Sequence, residues 1–225
     1  MLLGSRAGGA LRAAIGSLLL FCLLASCGQA SAYLEWQKCL GGSNGDLAES
    51  IQQTTDGGYI VAGHTSSNDG DVSGNHGGKD FWVVKVDRYG HLLWQKCLGG
   101  RQDDYAQDVQ QTTDGGYVVA GYTWLSDGDV CGNHCQWDYW VVKLNESGNL
   151  VWQKCLGGRQ DDYAQDVQQT KDGGYVVAGH ACSNDGDVSG NHGNFDYWIV
   201  KLNSTGNLVW QKCLGGSGWD FAQSI

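Results

Sequence analysis

The stretch DGDVSGNHGGKD, Asp69 to Asp80, carries side-chain oxygens at its first, third, fifth and twelfth positions: Asp69, Asp71, Ser73 and Asp80. Asn75 stands seventh, where a backbone carbonyl would serve, and Gly74 holds the sixth. That is the ligand spacing of an EF-hand calcium loop, in which oxygen donors wrap one hard cation. The pattern returns as Asp185, Asp187, Ser189, Asn191 and Asp196. A further version, Asp127, Asp129, Asn133 and Asp138, has Cys131 in the fifth place, a poor ligand for a hard cation. Aspartate rather than glutamate at the twelfth position shortens the reach and predicts weak affinity. Asp-Gly and Gly-Asn also build long polar turns on their own. Calcium is thus one of two readings of these loops.

Other chemistry-bearing residues recur at one interval. Asp46, Asp104, Asp162 and Asp220 hold the same place in successive units, as a ring of carboxylates or as turn caps. Lys85, Lys143 and Lys201 fall within apolar runs and are expected to pair with nearby acids or to snorkel. His76, His134 and His192 follow the acidic loops, and units of this size hold them too far apart to share one ion. Cys39, Cys97, Cys155 and Cys213 repeat inside WQKCLGG and read as small packing residues. Cys131 and Cys135, in CGNHC, form either a local disulfide or, with His134, a soft-metal site. Nothing matches a nucleophile elbow, a zinc-binding helix or a phosphate loop. An active site is normally unique, so repeated acids argue against catalysis.

The N-terminal region carries a different signal. Arg6 and Arg12 precede the apolar run Ala13 to Leu24, too short for a bilayer but suited to a signal-peptide core. LASC, Leu24 to Cys27, resembles the lipobox of bacterial lipoproteins, in which the cysteine is lipidated. ASA, Ala30 to Ala32, offers an ordinary cleavage site instead. The expected organisation is a signal peptide over 1–27 with Cys27 lipidated, a linker over 28–32, and repeats over 33–225. Either cut exports the chain, to the outer membrane or cell surface as a lipoprotein, or into the medium.

What must position these residues is a repeat. WQKCLGG begins at Trp36, Trp94, Trp152 and Trp210, and DGGY at Asp56, Asp114 and Asp172, always 58 residues apart. Within the first unit, four short runs rich in β-branched and aromatic residues predict strands at Leu47–Thr54, Tyr59–Thr65, Asp80–Val86 and His91–Leu98. Asp-Gly and Gly-Gly turns between them force antiparallel neighbours. A further strand is predicted at Tyr33–Leu40. Four antiparallel strands per unit, repeated in register, is the plan of a β-propeller blade. Connections on one end are short. Those between the second and third strands, and between units, are long and acidic, so the second end is the expected working face.

The phrase NLVWQKCLGGRQDDYAQDVQQTTDGGYVVAGYT closely resembles the bacterial seven-bladed propeller repeat known as the SBBP repeat. The shared elements are Trp94, Leu98–Gly100, Asp103–Tyr105, Asp114–Gly116 and Tyr117–Thr123. The resemblance covers roughly residues 33 to 225 and implies fold but no catalytic residues. WQKC and the insert DGDVSGNHG depart from it. Closed propellers need about four blades or more, so the three full units read as part of a larger ring.

The chain is 225 residues long with 36 Gly, no Pro, 10 Trp and 10 Tyr, as an all-β protein dense in turns would be. Its formal charge of −10 disfavours nucleic acid and anionic lipid as partners. Membrane contact is expected only through a lipid on Cys27. The expectation is therefore an all-β, propeller-like array that acts as a non-catalytic binding or scaffold module, with a protein or glycan ligand. Alternatives are a lectin-like module stacking sugars on Trp124, Trp137 and Trp219, or the non-catalytic part of a larger secreted hydrolase.

Overall fold

A computed structural model describes residues 34–225. The expected signal peptide and linker, with Cys27, lie outside the described residues. Within them the chain is all-β, with twelve strands and no helix. The first unit forms β1 (Asp46–Gln53), β2 (Tyr59–Thr65), β3 (Asp80–Val86) and β4 (Leu92–Leu98). The second forms β5 (Asp104–Gln111), β6 (Tyr117–Thr123), β7 (Asp138–Leu144) and β8 (Leu150–Leu156). The third forms β9 (Asp162–Gln169), β10 (Tyr175–Ala181), β11 (Asp196–Leu202) and β12 (Leu208–Leu214). Each unit is one antiparallel meander, its strands in sequence order. The predicted second and third strands match residue for residue. The first begins one residue earlier, because Asp46 already pairs with Thr65. The expected strand at Tyr33–Leu40 is corrected: residues 34–40 have no neighbouring strand to pair with and join no ladder.

The turns follow from their glycines and acids. In TDGG, Gly57 adopts φ 82°, which disfavours any side chain. Asp56 accepts hydrogen bonds from Thr54 Oγ1 at 2.5 Å and from the Gly58 amide at 3.0 Å. It also receives Lys85 Nζ at 2.9 Å. The same arrangement joins Lys143 to Asp114 at 3.0 Å and Lys201 to Asp172 at 3.0 Å. The repeated lysines thus tie the third strand of each blade to the turn between the first two, which is the pairing rather than the snorkelling alternative.

The blades stand side by side without closing on themselves among the described residues. Ile60, Ala62, Phe81 and Val83 of the first blade bury against Val109, Val119, Trp140 and Val142 of the second. The second blade repeats this on the third with Val118, Ala120, Tyr139 and Val141. β7 is buried at every position, as is β3 of the first blade, whose outer face packs with Val72 and Leu40. Each blade's large tryptophan donates its indole N–H to a glutamine one strand away: Trp82 to Gln95, Trp140 to Gln153 and Trp198 to Gln211, at 3.0, 2.8 and 2.9 Å. These bonds satisfy the one polar atom that burial would otherwise strand. Cys97, Cys155 and Cys213 are buried packing residues, whereas Cys39 is exposed.

Candidate functional site

The long β2–β3, β6–β7 and β10–β11 loops share an end of the array with the connections between blades. Backbone bonds lock each loop to the connection that precedes its own blade: the Asp71 amide donates to Gly41 O at 3.0 Å, Asp129 to Gly99 O at 3.0 Å and Asp187 to Gly157 O at 2.9 Å.

The expected calcium ligands are spread among separate tasks. Asp69 Oδ1 accepts from the Ser43 amide at 2.7 Å, and Asp127 and Asp185 accept likewise from Arg101 and Arg159. Asp71 Oδ2 faces the Gly41 amide at 3.3 Å. Ser73 and Ser189 hydroxyls receive Gln95 and Gln211 side chains. Asn75, Asn133 and Asn191 donate side-chain amides to the last strand residue before the loop, Thr65, Thr123 and Ala181, at 2.9, 3.0 and 2.8 Å. Asp80, Asp138 and Asp196 each hold the histidine four residues back. Among the described residues, no three His, Cys, Asp or Glu side chains stand together as a metal-holding group.

The four repeated aspartates are turn caps. Asp46, Asp104, Asp162 and Asp220 accept from the amides of Gly42, Gly100, Gly158 and Gly216 at 2.8, 2.8, 2.9 and 2.9 Å. Asp104 is 2% and Asp162 0% exposed. Burial pushes both carboxyls up to about 7, with neighbouring carboxylates adding to the rise. Burial likewise pushes Asp138 up to about 6, against the pull of His134.

Cys131 and Cys135 are both free and exposed. Cys135 sits where the other repeats have Gly77 and Gly193, with φ 132°. A side chain is strained there. Replacing Cys135→Gly is expected to stabilise the fold by about 1 kcal/mol. Urea unfolding checks this, and an unchanged or lowered midpoint would show that the backbone is not strained.

Sequence reasoning found Trp124, Trp137 and Trp219 but not the band they belong to. Trp137 packs on Trp124, Tyr122 and Tyr105, with ring centroids 4.8, 5.3 and 5.6 Å away. Tyr122 meets Tyr163 at 4.8 Å, and Tyr163 continues to His180 and Phe195 at 5.3 and 5.9 Å. Phe195 contacts Trp219 and Phe221. The band therefore crosses two blade junctions on the loop end. Carboxylates edge it: Tyr105 donates its hydroxyl to Asp103 Oδ2 at 3.0 Å, and Asp161 lies against Tyr163. The available signal was positional. The equivalents of residues 64, 66 and 79 are Tyr122, Trp124 and Trp137 in the second repeat, and His180, Cys182 and Phe195 in the third, so this end is where near-identical repeats diverge. No family model and no curated protein matches this sequence.

Proposed function

We propose that this chain is an exported, non-catalytic binding module, displayed at a bacterial surface by a lipid on Cys27, and that its ligand is a protein or glycan. The observation that carries the reading is the divergence of the repeats at the aromatic loop end. Elsewhere the repeated polar side chains do structural work: the lysines bind turn acids and the aspartates cap connections. The scaffold is thus held constant while one end varies, the usual division of labour between a rigid fold and its binding loops. The resemblance to SBBP repeats supports a propeller scaffold and is neutral about the ligand.

A lectin-like role is the second reading. Rings flanked by carboxylates suit a saccharide, whose C–H faces stack on aromatics while its hydroxyls bond to acids. The test is binding of the purified protein to panels of bacterial and host glycans and to surface-protein extracts. Trp124→Ala and Trp137→Ala are expected to weaken capture at least tenfold with little change in melting temperature. Undiminished capture by both variants would sink the assignment of this end. Glycan capture without protein capture selects the lectin reading.

A further inference from the structure

The first blade junction holds a cation of its own. Lys79, from the loop before β3, reaches across to the second blade. Its Nζ donates to the Tyr105 hydroxyl at 2.9 Å and lies 4.6 Å from the centre of that ring. Tyr105 in turn donates its hydroxyl to Asp103 Oδ2 at 3.0 Å, and Asp103 Oδ1 accepts the Lys79 amide at 3.0 Å. His64 stands edge-on to the Tyr105 ring, with centroids 4.8 Å apart. An ammonium over an aromatic face, bonded to a phenol with a carboxylate behind it, is a complete cation site.

The second junction repeats the receiving half of that site. Tyr163 and Asp161 stand one repeat on from Tyr105 and Asp103. Tyr122, in the place of His64, meets Tyr163 edge-on at the same 4.8 Å, and Asp161 stands against the Tyr163 hydroxyl. The donating half differs, because Trp137 holds the place of Lys79. Its ring leans back onto Trp124, Tyr122 and Tyr105 of its own blade and is 6.3 Å from Tyr163. Among the described residues no lysine or arginine lies over the Tyr163 ring, and Arg159 turns to Asp185 instead, at 3.7 Å.

A second observation concerns the carboxylate. Asp161 Oδ1 is buried without a hydrogen-bond partner, whereas Asp103 Oδ1 has the Lys79 amide. The negative charge at the second junction is therefore the less compensated of the two, which raises the gain from a cation placed beside it. The third junction lacks both halves: Trp219 and Phe221 replace the carboxylate and the phenol, and Phe195 replaces the lysine.

We propose that the second junction binds the ammonium of a lysine side chain presented by a protein partner, seated over the Tyr163 ring as Lys79 is seated over Tyr105. This rests on the aromatic end being the binding face, and it selects protein over glycan as the ligand. Lysine is the occupant that the first junction itself displays. The chain's formal charge of −10 favours a cationic partner. Trp124 and Trp137 would cover the aliphatic stem of the incoming side chain.

The test is titration of the full-length protein with a short glycine-flanked lysine peptide and with the same peptide acetylated on the lysine, followed by NMR of the tryptophan indoles. Salt of about 0.15 M screens distant charges. One saturable site is expected, with the Trp124 and Trp137 signals moving, and acetylation should weaken binding at least about fivefold. Asp161→Asn should weaken it by a similar factor. Asp103→Asn removes the same charge from the filled junction and should leave binding unchanged. Trp137→Lys, which supplies the second junction with a cation of its own, should abolish the Trp124 response. Melting temperatures near that of the wild type show that the variants fold, and the acetylated peptide tests the same charge on the unaltered protein. Three results would overturn the proposal: no saturable binding, equal binding of the acetylated peptide, or equal losses with Asp103→Asn and Asp161→Asn, which would mean diffuse attraction to an acidic protein. The wider reading fails separately. If Trp124→Ala and Trp137→Ala abolish partner capture while the lysine peptide does not bind, the binding face stands and this site does not. If the peptide binds but capture ignores both variants, the site stands and the wider reading does not.

Discussion

Gly121→Ala is expected to cost the protein more than about 3 kcal/mol, enough to unfold much of the array at room temperature. Gly121 lies in the middle of β6, where β5 bulges: Ala106 pairs with Gly121 and Asp108 with Ala120, leaving Gln107 as the extra residue. The bulge presses the backbone of β5 onto β6. A Cβ at Gly121 would overlap the Tyr105 carbonyl oxygen and lie 2.8 Å from Ala106 Cα and 2.9 Å from Phe81 Cζ. Two of those obstacles are backbone, which cannot swing aside as a side chain can. The third belongs to the first blade, so the damage reaches a blade junction. Gly115→Ala is the comparison. Gly115 has φ 82° but open space around its Cβ position, so only backbone strain of about 1 kcal/mol is expected there. Urea unfolding of both variants decides the matter. Similar losses would mean that the close approach at the bulge does not exist.

Stability is expected to fall as pH rises from 5 to 8 in metal-free buffer. In the folded state Asp104 and Asp162 titrate at about 7, because burial disfavours their charged forms. In the unfolded chain an aspartate titrates at about 3.9. Between those values the folded protein holds protons that the unfolded chain has released. The stabilisation is therefore complete below about pH 4 and is lost as pH rises through about 7. At about 1.4 kcal/mol per pH unit for each group, the two carboxyls together are worth several kcal/mol. His180 works the other way: burial pushes it down to about 4, so it favours the folded state above about pH 6.5 and opposes the trend below it. One histidine offsets only part of two carboxyls, and above pH 6.5 it no longer changes. At the acid end Asp56 and Asp114 titrate at about 2, the first mainly through Thr54, the second through Thr112 and Lys143 against burial. Their contribution is lost as pH falls from about 4 through 2, and it is small because both are largely exposed. Melting temperatures at pH 5 and pH 8 test the prediction, and Asp104→Asn with Asp162→Asn should flatten the difference. A wild-type protein equally stable or more stable at pH 8 would refute it.

The architecture was legible because its signals are local. Alternation and turn glycines set strands such as Tyr59–Thr65 to the residue, and the 58-residue interval set the number of blades. Lys85, Lys143 and Lys201 were readable for the same reason, since a charge inside an apolar run needs a nearby partner. What the sequence hid depends on contacts between repeats. DGDVSGNHGGKD has the spacing of a cation loop, but spacing does not reveal that Asp69 and Asp71 point at the Gly41–Ser43 connection. His76 reads as a surface histidine until its blade is set beside the next, which brings Asp129 opposite. The aromatic band was hidden likewise, because Tyr105, Trp137 and Tyr163 lie far apart in sequence, the last in the next blade, and share no local pattern. Residues 34–40 misled because strand-like sequence forms a strand only where a neighbour supplies the ladder.

Strand packing of any extent joins a strand to its own blade or to the next one: β2 to β5, β6 to β9, β1 to β5 and β5 to β9. This has a kinetic consequence. No step of assembly has to close a loop much longer than one or two repeats, so the entropic barrier to each step stays low and hardly grows with the number of blades. Folding can begin in any hairpin and spread to its neighbours, as it does in linear repeat arrays. On the ribosome, the first meander can form and offer Ile60, Phe81 and Val83 as a template while the later repeats are still being synthesised.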